Sequence, residues 1–454
     1  MILQKAIFVL SFIAFLFLSL SQFFFSISDS FYDSQRLAQA MLLCCVGVLF
    51  CFSARSFEQF TRADSPLLLP RIFSMMALVI GFGCISAVLS SDIVNSLMYV
   101  TLFALLFVTC LYLAVFLDAG VTSLVLCLVV VFHSGVIIYS TLFLGFAVFQ
   151  GDSIKASIVY FGFDNIRFFN QAQVFVLPLL SYLLTVKRIA VAAHLILFAN
   201  LMLMFVGGGL GIALCWSLML FALLFFNRRL LVGLLVHTLV AFVSAYGLLN
   251  GFQLDEASSV SAQYLSDGGR LPIWLSVIDH LQWRHLLLGI GPGLYSDLSG
   301  VSSVGHPHNF LLEMLYEWGA VAVAIALLMV GWTMRLYFVH VYRVGFYSRS
   351  DAFFLSWLAG LLYSLVSGVL VMPVPQTLVF VCWGIVLGSI HRAQGSNDES
   401  KIVYGLSNCL GIKVSVLLLS LIYAGMVGLS VAAMTGEDAS TQGPRLWLDG
   451  DRYL

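Results

Sequence analysis

The residues able to do chemistry gather in one stretch, Asp267 to Gly319, which reads DGGRLPIWLSVIDHLQWRHLLLGIGPGLYSDLSGVSSVGHPHNFLLEMLYEWG. Arg270 falls at a predicted helix N-terminus, with Asp267 as N-cap, Gly268-Gly269 as a turn and Pro272 in the first helical turn. The helix macrodipole disfavours a cation there by about 0.3–1 kcal/mol. Two explanations stand: an ion pair with Asp267, or a clamp in which Arg270 and the free N–H groups hold an anion such as a phosphate. Further on, His306-Pro307-His308-Asn309 precedes a second helix, for which Asn309 is a natural cap. A surface-loop histidine is the plain account of His308. A His-x-His metal pair is another, and it lacks a third and fourth ligand at recognisable spacing.

Glu313 and Glu317 lie four apart on the second helix, where like charges repel by a few tenths of a kcal/mol and proximity to a helix N-terminus offsets the cost for the first of them. The run Gly289-Ile290-Gly291-Pro292-Gly293 has no βαβ unit around it, so it reads as a tight turn and not as a nucleotide loop. Trp274, Val277, Ile278 and Leu281 fall at i, i+3, i+4 and i+7, predicting an amphipathic helix along the membrane surface with its tryptophan at headgroup depth. Outside the stretch, Arg167 precedes Asn170-Gln171 by one turn and is a second candidate anion ligand, or a partner for Asp164.

The elements that must position these groups are set by composition. Of 454 residues 61% are hydrophobic and 9% charged, with mean hydropathy +1.03. A soluble domain carries about 25% charged residues. The chain is therefore an all-α, polytopic integral membrane protein. A net charge of −1 says nothing of a nucleic-acid partner, and nine cysteines placed almost wholly in apolar segments give no disulfide framework. With about 20 apolar residues needed per span, thirteen candidates appear: Ala6–Ile27, Leu37–Ala54, Ile72–Ser90, Ile93–Phe116, Val121–Phe149, Gln173–Val186, Ile189–Val206, Leu210–Phe226, Leu230–Leu249, Leu315–Met334, Ala352–Val371, Thr377–Ile390 and Val414–Met434. The sixth and twelfth are short, so the expectation is 12–13 spans. The first is too long for a signal-peptide core and lacks a cleavage pattern.

Lys and Arg in alternating loops divide fourteen to seven, which puts the N-terminus in the cytoplasm and the 250–314 loop outside it. Arg36 counts among the seven. The chain accordingly divides into N-terminal spans over 1–249, including an external loop at 150–171, a large periplasmic loop over 250–314 with the candidate site, C-terminal spans over 315–434, and a polar tail over 435–454.

Taken together, Arg270 and Trp274, the turn at Gly289 and Gly291, and His308-Asn309 followed after nine residues by Gly319 resemble the family of O-antigen ligases and O-antigen polymerases. The resemblance covers roughly Asp267 to Val323; elsewhere length and topology agree. Two positions depart from the pattern: Ala322 stands where a small or hydroxylated residue is usual, and Val206-Gly207-Gly208-Gly209 lacks the arginine many members carry. The resemblance implies a GT-C-like, metal-independent, inverting glycosyltransferase of the bacterial inner membrane. Its donor would be an undecaprenyl-pyrophosphate-linked glycan, its acceptor a sugar hydroxyl of lipid A–core oligosaccharide, with no cofactor and with membrane lipids as surroundings. It also implies roles. Arg270 and Arg167 would stabilise the departing pyrophosphate, and His308 would take the proton of the acceptor hydroxyl, with Glu313 as an orienting partner. Trp274, Asn309, Arg284 and His306 complete the candidate substrate-binding set. A polymerase with a lipid-linked acceptor, or a protein glycosyltransferase, uses the same chemistry. A transporter is disfavoured because the spans hold almost no full charges, and His133, His194 and His237 read as packed or interfacial groups.

Overall fold

A lipid-embedded backbone has no water to bond, so each span must satisfy its own N–H and C=O groups, and continuous apolar runs become helices. The computed structural model describes residues 2–20, 30–52, 68–151, 163, 166–251, 270–297, 305–343, 346–394 and 406–433. In chain order the helices are α1 (Ile2–Leu20), α2 (Phe31–Phe52), α3 (Leu68–Val88), α4 (Ile93–Phe116), α5 (Ala119–Gln150), α6 (Ile166–Leu183), α7 (Ala190–Val206), α8 (Leu210–Phe226) and α9 (Arg228–Gly251). They continue with α10 (Arg270–His280), α11 (Trp283–Leu286), α12 (Phe310–His340), α13 (Arg349–Tyr363), α14 (Pro373–Gln394) and α15 (Leu406–Ala433). A helix stands at each of the thirteen expected spans, and the architecture is all-α and polytopic. Among the described residues nine helices are long and apolar enough to cross a membrane, and α7 and α8 are shorter apolar helices.

The bundle has a centre and a rim. The spanning window of α14 is 100% buried and that of α4 is 89% buried, whereas α9 buries 22%. The rim helices expose leucine, valine and phenylalanine, the side chains a bilayer covers. Asp92 and Asp118, the carboxylates at span ends, cap α4 and α5 by accepting from the N–H of Asn95 (3.0 Å) and of Val121 (2.9 Å). Asp118 also pairs with Lys5. His133 is fully buried and stacks on Phe169 with ring centroids 5.6 Å apart, and His194 lies 2.8 Å from His237.

Two expectations about ends change. Arg36, counted as a loop cation, sits inside α2, which begins six residues earlier than hydropathy suggests. Its guanidinium is 1% exposed and hydrogen-bonded by Tyr32, Gln39, Gln376 and the Val371 carbonyl. The gap between the spans ending at Val371 and starting at Thr377 is largely helix: residues 373–376 form the first turn of α14, where Pro373 needs no N–H partner. The connection instead runs from Ser364 to Met372, within what hydropathy reads as a span.

Candidate active site

The site begins with a break. Helix α12 is interrupted at Gly319, whose φ of 84° and ψ of 168° are non-helical. A Cβ at Gly319 would lie 2.1 Å from the Leu287 carbonyl oxygen, and one at Gly289 would lie 2.0 Å from that of Glu317, so neither position admits a side chain. The break frees carbonyls that would otherwise bond within the helix, and buried carbonyls need partners. Ile290 N–H donates to the Tyr316 carbonyl (3.0 Å), and Gly291 N–H (3.1 Å) and the Ser86 hydroxyl (2.9 Å) donate to that of Glu317. The Glu317 carboxylate accepts from the N–H of Gly293 (2.9 Å) and of Tyr295 (3.1 Å). The glycine run is thus a turn, as expected, and Glu317 pins it to the outer end of α12. Sequence spacing offered only a like-charge pair for Glu317.

From this anchor the chain reaches α10. Ile273 and Val277 face inward, Val277 against Tyr295 and Tyr316. The expected apolar stripe differs in the structure. Trp274 is half-buried, and its indole N–H donates to the Pro307 carbonyl at 2.8 Å. Ile278 is exposed together with Leu271 and Leu275, so the outward apolar stripe runs through 271, 275 and 278. The reason is that the backbone at 305–309 needs a donor, and an indole supplies one at the helix's inner edge. Asp267 and the glycine pair before Arg270 fall outside the described residues, as do Asp152, Lys155, Asp164 and Asn165. Arg284 lies in α11, and its side chain is outside the described set.

That tryptophan bond helps hold a short, unusual segment. His308 has φ 56°, the one positive φ at a non-glycine among the described residues. Such a conformation costs on the order of 1–3 kcal/mol and persists only where its surroundings impose it. The surroundings here are concrete. His308 N–H donates to His306 Nδ1 (3.3 Å), and the two rings meet edge to face at 4.2 Å. The His306 ring lies against Gly368. Asn309 caps α12 by accepting from Leu312 N–H (3.1 Å), and Phe310 N–H donates to the Ser364 carbonyl (2.9 Å). His306 is 2% exposed and His308 8%. Glu313 is buried in the first turn of α12.

The structure brings Arg167 to His308, with Nη1 3.4 Å from Nε2, long for a hydrogen bond. Arginine only donates, so the facing Nε2 carries the lone pair and a neutral ring keeps its hydrogen on Nδ1. Burial, then the Arg167 and Arg270 charges, push the His308 pKa down to about 3. Arg167, Arg270 and His308 therefore form one electrostatic unit, although the two arginines are 103 positions apart (270 − 167). Residues not singled out by sequence complete the wall. Tyr363 is buried and lies in the field of Arg270 and Arg167. Ser367 Oγ accepts from Gln171 Nε2 at 2.7 Å. The signal that could have found them is the pair of serines with Gly368 in an otherwise apolar run.

Residues 173–327 match the family model described as O-antigen ligase. This segment is similar to that family. No curated protein matches the chain. The matched segment contains Arg270, His306, His308, Asn309, Glu317 and Gly319. Arg167, Gln171, Tyr363 and Ser367 lie outside it, so the assembled site combines matched and unmatched parts of the chain.

Proposed function

We propose that the chain transfers a glycan from undecaprenyl pyrophosphate to a sugar hydroxyl of lipid A–core oligosaccharide, at the periplasmic face of the bacterial inner membrane. The observation that carries this reading is the contact of Arg167 with His308, beside Arg270. Two guanidiniums suit a diphosphate, whose oxygens their planar forks can bond in pairs. A neutral imidazole suits an acceptor hydroxyl.

The step balances simply. The acceptor oxygen bonds to the anomeric carbon as the bond from that carbon to the diphosphate oxygen breaks. The electron pair leaves on the lipid diphosphate, and the hydroxyl proton passes to His308 Nε2. In the donor-free site His308 is a weak base because it is buried and because the Arg167 and Arg270 charges oppose its protonation. An arriving diphosphate offsets both charges, draws Arg167 off Nε2 and raises the basicity of the ring, so the base is armed when the donor is present. The outward apolar stripe of α10 and the apolar helices below supply a bed for the lipid. A polymerase would use the same base and cations with a lipid-linked acceptor.

The test is transfer by the full chain in a lipid nanodisc, with lipid-linked oligosaccharide as donor and lipid A–core as acceptor. His308→Ala should lower the turnover rate by about 10²–10⁴-fold, the range for a general base. Full activity in that variant would overturn the mechanism. Elongation of lipid-linked repeats with no transfer to lipid A–core would assign the polymerase reaction instead.

A further inference from the structure

The first two turns of α6 carry more polar surface than an arginine site needs. Asn170 and Gln171 are 3% and 1% exposed. Among the described residues, Asn170 Oδ1 and Gln171 Oε1 are buried acceptor oxygens that receive no hydrogen bond. Such an oxygen costs about 1–3 kcal/mol if nothing donates to it. Gln173 Oε1 is a third on this helix but sits by Asn200, whereas Asn170 and Gln171 follow Arg167 by about one turn and call for a ligand.

Their place says which ligand. Gln171 stands one turn after Arg167, about 6 Å along the helix. Its amide nitrogen donates to Ser367 Oγ at 2.7 Å, fixing the amide and turning Oε1 away from Ser367. Ser367 precedes Gly368, which lies against the His306 ring, and His306 in turn holds His308. The contacts thus close a ring: Arg167, His308, His306, the 367–368 backbone, Gln171, and back by one helical turn to Arg167. Asn170 is brought in by the glycine run after α7. A Cβ at Gly209 would lie 2.5 Å from Asn170 Nδ2, so glycine there lets the start of α6 approach. Gly207 in the same run likewise lies against Ile166, so the run lets the first turn of α6 pack close.

We propose that Asn170 and Gln171, held by Ser367 and Gly209, form a subsite that accepts hydrogen bonds from hydroxyls of the sugar attached directly to the diphosphate. This rests on the transferase reading of the same site. A hydroxyl-rich ring is the donor class that fits, because the oxygens need donors and the sugar is covalently next to the phosphates held one turn away. The subsite tells a glycan-bearing lipid diphosphate from a bare one.

The experiment is direct binding of two probes to the full chain in nanodiscs: a polyprenyl-pyrophosphate-linked oligosaccharide and the bare polyprenyl pyrophosphate. Gln171→Met keeps the side-chain length and removes both polar atoms. It should weaken binding of the glycan probe about tenfold, the worth of one or two net hydrogen bonds, and leave the bare probe within about twofold. Ser367→Ala leaves Gln171 in place without its tether and should give a smaller loss in the same direction, about threefold. Equal loss for both probes in either variant would overturn the subsite, since the amide would then only support the arginines. No loss for either probe would overturn it too, leaving ordered water on the oxygens. The transferase reading fails separately, when the unaltered chain binds both probes and transfers nothing.

Discussion

Arg36 and Arg167 sit on helices that meet where the Tyr32 and Phe168 rings lie 5.8 Å apart, and their surroundings are opposite. Arg36 is 1% exposed and wrapped by neutral oxygens: the Tyr32 hydroxyl at 2.8 Å, Gln376 Oε1 at 3.0 Å, Gln39 Oε1 and the Val371 carbonyl. Arg167 is exposed, and one guanidinium nitrogen faces an imidazole lone pair at 3.4 Å. A cation enclosed by dipoles from three segments ties those segments together and has no room for a ligand. A cation with exposed surface beside a base can be reached by an anion. The two even cooperate: Arg36 holds the start of α14 and the end of the 364–372 connection, whose Gly368 backs the histidine pair that Arg167 faces.

The largest contrast should come from removing each charge at constant length. Arg167→Met should lower glycan transfer by about 10²–10³-fold, the scale for losing one donor to developing negative charge, and leave the melting temperature close to that of the unaltered chain. Arg36→Met should do the reverse. It takes a donor from the buried Gln39 Oε1, Gln376 Oε1 and Val371 carbonyl, the last two of which keep Gln39 Nε2 and the Tyr32 hydroxyl. One stranded oxygen costs about 1–3 kcal/mol, so the folded chain in detergent should melt lower, with residual transfer tracking the folded fraction. A stable but inactive Arg36→Met protein would erase the distinction.

The same comparison sharpens at Gly319. Gly319→Ala forces a Cβ to 2.1 Å from the backbone oxygen of Leu287 and puts alanine at φ 84°. Neither atom belongs to a flexible side chain, so the turn and α12 must separate, at about 1–3 kcal/mol for the conformation alone. Stability and transfer should fall together. Gly331→Ala, in the same helix with nothing within 4 Å of its Cβ position, should change neither. Thermal melts and transfer rates of the pair decide it.

These cases also mark what could be read from the chain itself. The helices were legible because a bilayer leaves an apolar backbone no other choice. Arg270, Asn309 and His308 were legible because caps, turns and prolines announce the helix ends that carry them. The Ser364–Met372 connection was not: SLVSGVLVM is apolar enough to pass as membrane span, and only packing against His306 and Arg36 shows it as loop. Glu317 was equally hidden, since its partners Gly293 and Tyr295 lie 24 and 22 positions away. Trp274 was found without its partner, because periodicity marks an apolar face without saying whether lipid or a stray carbonyl meets it. Spacing sees bonds made along one element, and this site is held by bonds between elements.

The smallest expected effect is a shift in pH dependence, and it tests whether Arg167 acts on the base as well as on an anion. His308 is held neutral above a pKa of about 3 by burial and by the Arg167 and Arg270 charges. A histidine with a lowered pKa stays unprotonated at every pH well above that value. The profile of kcat/KM, which follows the free enzyme, should therefore stay flat from neutral pH down through the ordinary histidine range. In Arg167→Met one of the opposing charges is gone, so His308 should protonate at higher pH and an acid limb should rise toward about 6.5, the unperturbed value. In the unaltered chain kcat, which follows the donor complex, should show its limb above that of kcat/KM, because the diphosphate cancels the cations that depress the ring. A limb near 6.5 in the unaltered chain that does not move in Arg167→Met would mean the arginine and the histidine do not share a field, and Arg167 would then act on phosphate alone.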